Sequence, residues 1–462
     1  MTGNTTVRTD ARAAAPQLLL DLTELVRHDA RSGVQRVTRA WLAALLAAPP
    51  AGWRVRPVYD AGGYYAYALA DGAPDDAGDS EANGGDDVGD GAPVRTGGGE
   101  GQAEGAGTER DDGGDSALTR TGGRHGASDA RFVPAQAGRE QPVRVAAGDV
   151  FLGLDLTPES VPRNQAVLAS LKLHGVRLYF IIYDLLPVRH PEWFVDGLAQ
   201  AFEQWLRSVT TLADGLVAIS RATADDLLDW LAEHPPVRAD AAQVGWVHLG
   251  ADLDASAPSR GIDADGHALL ARLGGEPTLL MVGTIEPRKM QAQALDALER
   301  LWDDGVAINL VIVGKPGWRV EALAARLRDH PQRGSRLFWL EGASDELLDR
   351  LYGASSALLA ASQAEGFGLP LIEAARHGLP VIARDLPVFR EVGGAHAWYF
   401  TAADGAALAD ALRRWLALHA DGLAPASSGM PHLDWAASAG QLKQLLSGPA
   451  WYAQAPSRLP PG

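Results

Sequence analysis

Cysteine is absent from all 462 residues of the chain. Its absence excludes disulfide bonds, thiolate metal sites and cysteine nucleophiles, and it suits a reducing compartment. Long apolar runs are lacking too, since the longest apolar helix candidate, Trp41 to Ala48, is far shorter than the ~20 residues that span a bilayer. The N-terminal stretch also lacks the apolar core of a signal peptide. We therefore expect a cytoplasmic protein, with peripheral contact at the inner face of the membrane left open.

An excess of positive charge is missing as well. The formal net charge is −17 at pH 7, which argues against nucleic acid, and against a polybasic membrane-binding surface, as the main partner. The chain is also too long to fold around one hydrophobic core, so we expect two domains.

Residues 71–144 contain little apolar sequence. Gly, Asp, Ala and Ser dominate this segment, and it holds 16 acidic against 7 basic residues, hence a net charge of −9. Such a composition cannot bury enough apolar surface to offset the entropy lost on ordering. We predict a disordered acidic insertion in a surface loop, with a binding segment as the alternative.

The rest of the chain alternates between apolar strands and amphipathic helices. Predicted strands of the first half are Gln17 to Leu22, Arg54 to Tyr59, Tyr64 to Leu69, Val150 to Asp155, Arg177 to Tyr183, Gly215 to Ser220 and Trp246 to Gly250. Those of the second half are Thr278 to Val282, Ile308 to Val313, Arg336 to Leu340, Ala357 to Ala361, Pro380 to Ala383 and Trp398 to Phe400. Such alternation predicts parallel sheets built from βαβ units.

We therefore expect an α/β protein with two doubly wound, Rossmann-like domains facing a central cleft. The domains are predicted over residues 17–257 and 275–425, with a linker from Asp252 to Gly275 and C-terminal helices and a tail over 426–462. A long amphipathic helix is predicted from Glu192 to Leu212, and a C-terminal helix pair from Ala424 to Leu446.

The stretch from Ser362 to Ala375 contains the most informative motif. It follows a predicted buried strand, and it joins a loop with Gly366 and Gly368 to the start of a helix. Two carboxylates, Glu365 and Glu373, lie in the same stretch. The first N–H groups of a helix and its dipole favour an anionic or hydroxyl-rich ligand at such a loop. An ordinary glycine turn that closes a βα unit is the alternative.

Two adjacent cations follow the first strand of the second domain. The sequence there runs Gly283-Thr-Ile-Glu-Pro-Arg-Lys289, which places Arg288 and Lys289 at a strand end, just before a helix. An arginine fork and a lysine point charge suit a phosphate or diphosphate. A solvated basic corner is the alternative, but the position favours a ligand, because α/β sheets bind ligands at the carboxyl ends of their strands. A nucleotide-diphosphate compound would use these cations and the glycine loop together.

The first domain offers weaker candidates. Asp184 and His190 follow a buried strand directly, which makes them candidates for substrate contact, although a capping or packing role explains His190 equally well. Gly33 lies in a loop before a helix that Ser32 can cap, and a structural turn is the alternative reading there.

Together the motifs resemble those of family 4 retaining glycosyltransferases, which have the GT-B fold. The resemblance rests on Gly283-Thr-x-x-Pro-Arg-Lys289, Glu365-Gly-Phe-Gly-Leu-Pro-Leu-Ile-Glu373, Gly378-Leu-Pro-Val-Ile382 and Pro387-Val-Phe-Arg-Glu-Val-Gly393. Val313-Gly-Lys-Pro-Gly-Trp318 and Ser32-Gly-Val-Gln-Arg-Val37 resemble the branch that builds bacterial surface polysaccharides, often from mannose or rhamnose donors. In proteins of this fold a C-terminal helix often packs back on the first domain, and we expect the same here.

The resemblance implies a role for each motif. Arg288 and Lys289 would hold the donor diphosphate, Glu365 would contact the donor sugar, and Asp184 and His190 would lie near the sugar and the acceptor. The residues expected to bind the donor are Gly33, Gly283, Thr284, Gly366, Phe367, Gly368, Leu369 and Glu373, the last through the ribose hydroxyls. Members of the family generally need no metal ion, so no metal or other cofactor is expected.

The implied reaction transfers a hexose, mannose or rhamnose, from a nucleotide-diphosphate sugar to a saccharide or a lipid-linked saccharide. The cations would stabilise the charge that develops on the leaving diphosphate. Two alternatives stay open at this point. One is another enzyme of the same fold, such as a sugar-nucleotide epimerase or a phosphorylase, and the other is a non-catalytic scaffold.

Overall fold

The computed structural model describes residues 15–28, 32–70, 132–133, 140–238, 240–252 and 259–456. Most of the predicted acidic insertion lies outside these residues. Among the helices of the described residues, none combines the length and the apolar character needed to cross a membrane.

The strands are numbered along the chain. They are β1 (Gln17–Asp21), β2 (Arg54–Asp60), β3 (Tyr65–Tyr67), β4 (Leu69–Ala70), β5 (Phe132–Val133), β6 (Val150–Gly153), β7 (Arg177–Ile182), β8 (Gly215–Ala218), β9 (Gln243–Trp246), β10 (Thr278–Val282), β11 (Asn309–Val313), β12 (Leu337–Leu340), β13 (Ala357–Ala360), β14 (Val381–Arg384), β15 (Trp398–Phe400) and β16 (Ala453–Gln454).

The helices are numbered in the same way. They are α1 (Thr23–Arg27), α2 (Gly33–Ala47), α3 (Ser160–Arg163), α4 (Gln165–Leu173), α5 (Leu186–Arg189), α6 (Leu198–Leu212), α7 (Arg221–Glu233), α8 (Ala264–Arg272), α9 (Gln291–Asp303), α10 (Glu321–Asp329), α11 (Asp345–Ala354), α12 (Leu369–Arg376), α13 (Pro387–Gly393), α14 (Gly405–Ala420) and α15 (Trp435–Ser447).

The first large sheet has the strand order β16-β9-β8-β7-β6-β1-β2-β3. Its strands from β9 to β2 are parallel, and the edge strands β3 and β16 run antiparallel to their neighbours. The chain leaves β1 for β2 on one side and later returns to add β6 on the other. The strand order therefore reverses between β1 and β6, which is the position where open α/β sheets bind ligands.

The second sheet is parallel throughout, with the strand order β12-β11-β10-β13-β14-β15. Its reversal point lies between β10 and β13, where Leu279 is opposite Ala357 and Leu280 is opposite Leu358. Two parallel sheets with helices between their strands confirm the predicted α/β class with two doubly wound domains.

The hydrophobic core extends from one domain into the other. One buried apolar cluster includes Leu20 and Trp41 from the first domain and Leu358 and Phe389 from the second. Two further clusters cover the outer faces of the first and the second sheet. The apolar core is therefore continuous across the domain boundary.

The C-terminal helix α15 packs back on the first domain, as expected. Trp435 meets Trp41 edge to face with 6.2 Å between ring centroids, and the indole N–H of Trp41 donates to Ser438 Oγ at 2.9 Å. The strand β16 then joins the first sheet beside β9. The predicted helix pair from Ala424 to Leu446 was wrong in one respect, because α15 is the one helix in that range and the residues before it are irregular.

Two element predictions within the first domain need correction. The helix predicted from Glu192 to Leu212 begins only at Leu198, because Gly197 takes a left-handed conformation with φ of 86° and separates it from a short 3₁₀ turn at Pro191–Trp193. The strand predicted from Trp246 to Gly250 lies earlier, at Gln243–Trp246, where it pairs with β8.

The segments predicted as insertion and linker are partly ordered. Within the described part of residues 71–144, β5 pairs antiparallel with β4, and Val143 donates its N–H to the carbonyl of Tyr65 at 2.9 Å. Within the predicted linker, Asp263 caps α8, and Leu269 of α8 and Leu273 just after it are buried in the core. The segment predicted as a linker therefore contains a helix, and the predicted domain bounds stay a prediction.

Candidate active site

The candidate site lies at the reversal point of the second sheet. The strand β10 leads into a loop that ends in a 3₁₀ turn at Pro287–Lys289, and β13 leads into the glycine loop before α12. Because β10 and β13 are neighbours and parallel, their following loops meet at one edge of the sheet. Tertiary structure thus joins the two motifs that the sequence places far apart.

Glu365 links the two cations of this site. Lys289 Nζ donates to Glu365 Oε1 at 2.5 Å, and Arg288 Nη1 donates to Glu365 Oε2 at 2.8 Å. Ser362 Oγ donates to Glu365 Oε1 at 2.7 Å, and Arg288 Nε forms an ion pair with Glu286 Oε2 at 2.8 Å. The second terminal nitrogen of Arg288, Nη2, has no hydrogen-bond partner among the described residues.

Glu365 and Arg288 are held in their charged forms. Burial raises the pKa of Glu365, but the neighbouring Lys289 and Arg288 outweigh burial and lower that pKa to about 2. Burial lowers the pKa of Arg288, and the surrounding carboxylates of Glu365 and Glu286 more than compensate, so its pKa is raised. Two cations therefore lie beside two carboxylates. An incoming anion would replace a carboxylate as the partner of these cations, whose positions the protein already fixes.

The loop after β10 brings its backbone close to Lys289. Gly283 has a φ of 131°, and a Cβ added there would lie 3.5 Å from Lys289 Cε and Nζ. The next residue, Thr284, accepts a hydrogen bond on its carbonyl from Gln291 Nε2 at 3.2 Å. Glycine at position 283 thus leaves the space beside the lysine ammonium open.

The glycine loop before α12 is pressed against the first domain. The carbonyl of Gly366 accepts hydrogen bonds from Ser220 Oγ at 2.7 Å and Thr223 Oγ1 at 3.0 Å, and a Cβ added at Gly366 would collide with the carbonyl oxygen of Tyr183. Phe367 is buried and packs edge to face on His248, with 5.4 Å between ring centroids. The Gly366 carbonyl is therefore already engaged across the domain boundary.

The start of α12 is tightly packed. Gly368 precedes the helix with a φ of 97°, and a Cβ there would lie 2.8 Å from Phe389. Leu369 is the first helical residue, and Pro370 follows within the first turn, where a missing N–H leaves no bond unmade. A small cavity of about 20 Å³ adjoins this helix start and is lined by Lys289 and Glu365 among others.

The first domain contributes Asp184 and His190 to the same cleft. A cavity of about 800 Å³ between the domains is lined by Asp184, His190 and Glu365, with α7 and the start of α13 as further walls. Burial raises the pKa of Asp184, the charge of Arg288 opposes that rise, and Asp184 Oδ1 accepts the Leu186 N–H at 3.0 Å. His190 stacks on Trp193 with 3.9 Å between ring centroids. Both residues therefore share the cavity with Glu365, whereas their roles stay predictions.

Glu373 has a partner in the first domain that the sequence analysis did not anticipate. It lies inside α12, its side chain is 2% exposed, and its Oε1 forms an ion pair with Arg36 Nη2 of the first domain at 2.7 Å. Tyr352 O–H donates to Glu373 Oε2 at 2.6 Å. The ribose contact of Glu373 stays a prediction, and it requires that a ribose share this carboxylate with Arg36 or displace it.

Gly33 is the first residue of α2 and not part of the loop before it. Ser32 caps this helix, its Oγ accepting the Gln35 N–H at 3.2 Å. A Cβ at Gly33 would meet nothing within 4 Å, so packing does not require glycine at this position. The approach of Gly33 to the donor phosphates stays a prediction.

Sequence reasoning missed three residues that join the domains at this site. Ser220 caps α7, and both Ser220 and Thr223 donate to Gly366. Glu391 of α13 accepts the N–H groups of Arg221 and Ala222 at 2.8 Å and contacts His248 Nε2 at 2.7 Å. One available signal was the position of Ser220 at a strand end, the same criterion that selected Asp184.

Within the described ranges, no group of three or more His, Asp or Glu side chains is arranged to hold a metal ion. The expectation that the protein needs no metal stays a prediction.

The sequence of the second domain matches a known family model. Residues 268–422 match the model described as glycosyl transferases group 1. The chain therefore contains a glycosyltransferase group 1 domain, and this domain holds Arg288, Lys289 and Glu365.

A curated relative extends the similarity to the first domain. The chain is 38% identical over 426 residues to a protein of Escherichia coli named serotype-specific mannosyltransferase WbdA. The aligned region covers 92% of this chain and 44% of that protein. Two further proteins of that name give the same identity and 45% of their length. The chain thus spans less than half the length of these curated relatives.

Solved structures of low sequence identity share the fold. A sucrose-phosphate synthase from Thermosynechococcus elongatus superposes with a TM-score of 0.57 at 17% identity, over 93% of this chain and 98% of the other. The Anabaena protein Alr3699/HepE, solved in complex with UDP and glucose, gives a TM-score of 0.50 at 18% identity, over 65% of this chain and 77% of the other. The predicted GT-B fold is thereby confirmed.

Proposed function

We propose that the protein is a retaining glycosyltransferase that moves a hexose from a nucleotide-diphosphate sugar to a saccharide acceptor. The observation that supports this most is the cluster of Arg288, Lys289 and Glu365 at the reversal point of the second sheet, beside a large cleft. Preplaced cations at that position suit a diphosphate, and a buried ionised carboxylate suits sugar hydroxyls.

The cations address the difficult part of such a reaction. When the bond between the anomeric carbon and the phosphate oxygen breaks, negative charge builds on the diphosphate. Lys289 and Arg288 are already fixed by Glu365 and Glu286, so they need little reorganisation to stabilise that charge. On donor binding, phosphate oxygens would replace Glu365 on the cations, which would free Glu365 for the sugar.

The acceptor would enter the cavity of about 800 Å³ between the domains. Asp184 and His190 line it from the first domain, opposite Glu365. In a retaining reaction the departing phosphate can deprotonate the acceptor hydroxyl on the same face of the sugar, so this proposal assigns no protein base. The reaction would need no metal ion, because Arg288 and Lys289 would neutralise the diphosphate.

Mannose is the favoured hexose, and rhamnose is the second choice. The name of the Escherichia coli relative, a serotype-specific mannosyltransferase, supports mannose. A role in building a cell-surface polysaccharide is supported by the motifs Val313 to Trp318 and Ser32 to Val37. The diphosphate donor is supported by the Anabaena protein that was solved with UDP and glucose. A lipid-linked acceptor would also require contact with a membrane surface.

Thermal-shift measurements with GDP, UDP and dTDP at millimolar concentration test the donor site. Binding to the folded state alone raises stability by about 2.7 kcal/mol at a hundredfold excess over Kd, so one nucleotide is expected to raise Tm clearly. Release of that nucleotide from its mannose conjugate, with and without a saccharide acceptor and with and without EDTA, then tests transfer. NMR of the product would show whether the anomeric configuration is retained.

The same assays separate the alternatives. An epimerase would yield a changed nucleotide sugar and no free nucleotide. A non-catalytic scaffold would show neither a thermal shift nor nucleotide release. Either result contradicts the proposed function.

A further inference from the structure

A second set of contacts joins the two domains, besides those of Ser220 and Thr223 with Gly366. It joins the loop 314–319, which follows β11 in the second domain, to the segment 190–196, which follows α5 in the first domain. Trp318 Nε1 donates to the carbonyl of Trp193 at 2.7 Å. Arg319 Nη1 donates to the carbonyl of Glu192 at 2.8 Å. We call these contacts the interdomain clasp.

Ring packing accompanies the hydrogen bonds of the clasp. The indole of Trp318 stacks on Phe194 with 5.8 Å between ring centroids and an interplanar angle of 29°, and Phe194 is buried. On the same segment His190 stacks on Trp193, whose carbonyl receives the Trp318 N–H. The segment that carries the cleft residue His190 is therefore held by an aromatic side chain of the other domain.

The second-domain end of the clasp is fastened to the loop that carries the cations. Ile285 donates its N–H to the carbonyl of Lys315, and Gly317 donates its N–H to the carbonyl of Ile285, both at 2.9 Å. A Cβ at Gly314 would collide with the carbonyl oxygen of Gly283, and one at Gly317 would lie 2.7 Å from that of Ile285. The two loops approach so closely that a shift of one must move the other.

Arg319 adopts its position against a local conformational preference. Its φ is 56°, in the left-handed region that residues other than glycine rarely use. The surrounding contacts maintain this conformation, since both terminal nitrogens of Arg319 are engaged, the second by Asp196 Oδ1 at 2.6 Å. Asp196 is 97% exposed, so its ion pair with Arg319 contributes little to stability. The contact of Arg319 that matters for the clasp is its hydrogen bond to the backbone carbonyl of Glu192.

We propose that Trp318 and Arg319 are positioning residues that couple the cation-bearing loop 283–289 to the His190 segment. This inference rests on the proposed function. The clasp fixes the position of the His190 segment relative to the loop 283–289. The acceptor bound by the first domain is thereby kept close to the sugar bound by the second. Neither residue touches the reacting atoms, but misplacement of the walls by about 1 Å is enough to slow a transfer about a hundredfold.

The first test compares transfer with hydrolysis in Trp318→Phe and Arg319→Gly. Phenylalanine keeps a ring on Phe194 but lacks the indole N–H, and glycine relieves the left-handed strain while losing the contacts. We expect transfer to fall about tenfold or more in both variants, with nucleotide-induced Tm shifts unchanged and hydrolysis in water retained. The ratio of hydrolysis to transfer would therefore rise.

Trp302→Phe is the matched control. Trp302 Nε1 donates to the carbonyl of Ile308 at 2.8 Å within the second domain, so this variant loses an equivalent hydrogen bond away from the cleft. We expect a lower Tm and an unchanged ratio of hydrolysis to transfer. An unchanged ratio in both clasp variants would overturn the proposal, while transfer by the wild-type protein would leave the proposed function intact.

A second test needs no activity. Because the chain has no cysteine, spin labels attach only to engineered ones, and Leu173→Cys with Leu423→Cys places one on an exposed position of each domain. We expect Trp318→Phe to broaden the distance distribution between the labels, whereas Trp302→Phe leaves it narrow. A distribution that stays narrow in Trp318→Phe contradicts the clasp, even if no substrate is ever found.

Discussion

The central strands of the two sheets follow the same order, but different groups lie at the two reversal points. In the first sheet, Asp21 ends β1 and Asp155 follows β6. In the second, Arg288 and Lys289 follow β10, and Glu365 follows β13. The fold thus offers two equivalent positions for a ligand, and the side chains decide which one is suited to an anion.

The carboxylates of the first sheet are engaged within their own domain. Asp21 Oδ1 accepts the N–H and the hydroxyl of Thr23, and Asp155 Oδ2 accepts the N–H of Leu25 at 2.6 Å. Both contacts fasten α1 to the sheet. Asp60, at the end of β2, accepts from Arg27 in the same helix at 2.9 Å. These acids therefore stabilise local structure, whereas Lys289 of the second domain lines a small cavity together with Glu365.

Lys289→Ala should have the largest effect on this comparison, because it removes a cation from the second reversal point. We expect kcat to fall about 10²–10³-fold, since one preplaced charge on the leaving diphosphate is lost. Circular dichroism should show an intact fold. Lys443→Ala, which loses only a surface contact to the Ala48 carbonyl, is the control and should retain full activity. Wild-type turnover in Lys289→Ala would show that the lysine at the second reversal point is not needed for activity, and the proposed difference in function between the two reversal points would be wrong.

Asp60→Ala tests the structural role of the first-domain acids. Burial raises the pKa of Asp60, but hydrogen bonds from Ser160, Gly62 and Arg163 outweigh it and lower the pKa. The variant loses these bonds and leaves the arginines without their carboxylate, so the free energy of unfolding should drop by about 3 kcal/mol. Urea denaturation measures this change.

Asp410→Ala, at an exposed surface pair, is the control for that experiment and should change stability by less than about 0.5 kcal/mol. Turnover per folded molecule should stay near the wild-type value in Asp60→Ala. A stable but inactive Asp60→Ala protein would show that the first sheet also contributes a functional site.

Asp21→Asn addresses the pH dependence of stability. Burial raises the pKa of Asp21 to about 7, above its unfolded value of 3.8. Between these values the unfolded chain has released the proton and the folded chain still holds it, so the wild type loses stability as pH rises. From pH 5 to pH 6.5 the wild type should lose about 2 kcal/mol of unfolding free energy through Asp21, and Asp21→Asn should abolish this loss.

A smaller slope should remain in Asp21→Asn, because burial also raises the pKa of Asp155, to about 6. Chemical denaturation at several pH values gives both slopes. An identical pH dependence in wild type and variant would mean that Asp21 is ionised in the folded protein.

Tyr352→Phe should have the smallest effect. It removes the hydroxyl that donates to Glu373, a second-domain carboxylate that is buried and paired in the manner of the first-domain acids. We expect a loss of about 1 kcal/mol in stability and an unchanged nucleotide affinity. Unchanged stability with weaker nucleotide binding would instead assign Glu373 to the donor site.

Much of the fold was predictable from the sequence, because strands and helices follow local apolar periodicity. The strand ends at Lys289 and Glu365 were predictable for the same reason. Helix α8 was missed because its small residues and aspartates are typical of a linker, and its contact with Leu347 of α11 is not visible in the local sequence. The break at Gly197 was missed because apolar spacing says nothing about φ.

The sequence by itself determined which chemical groups stand at the strand ends: carboxylates in the first domain, and cations together with a carboxylate in the second. Only the tertiary structure decided which of them neutralise each other. Glu373 pairs with Arg36, and Gly366 with Ser220, across a domain boundary that no local pattern encodes. The physical reason is that ion pairs and hydrogen bonds depend on distances of a few ångströms, which the packing of two separate sheets sets.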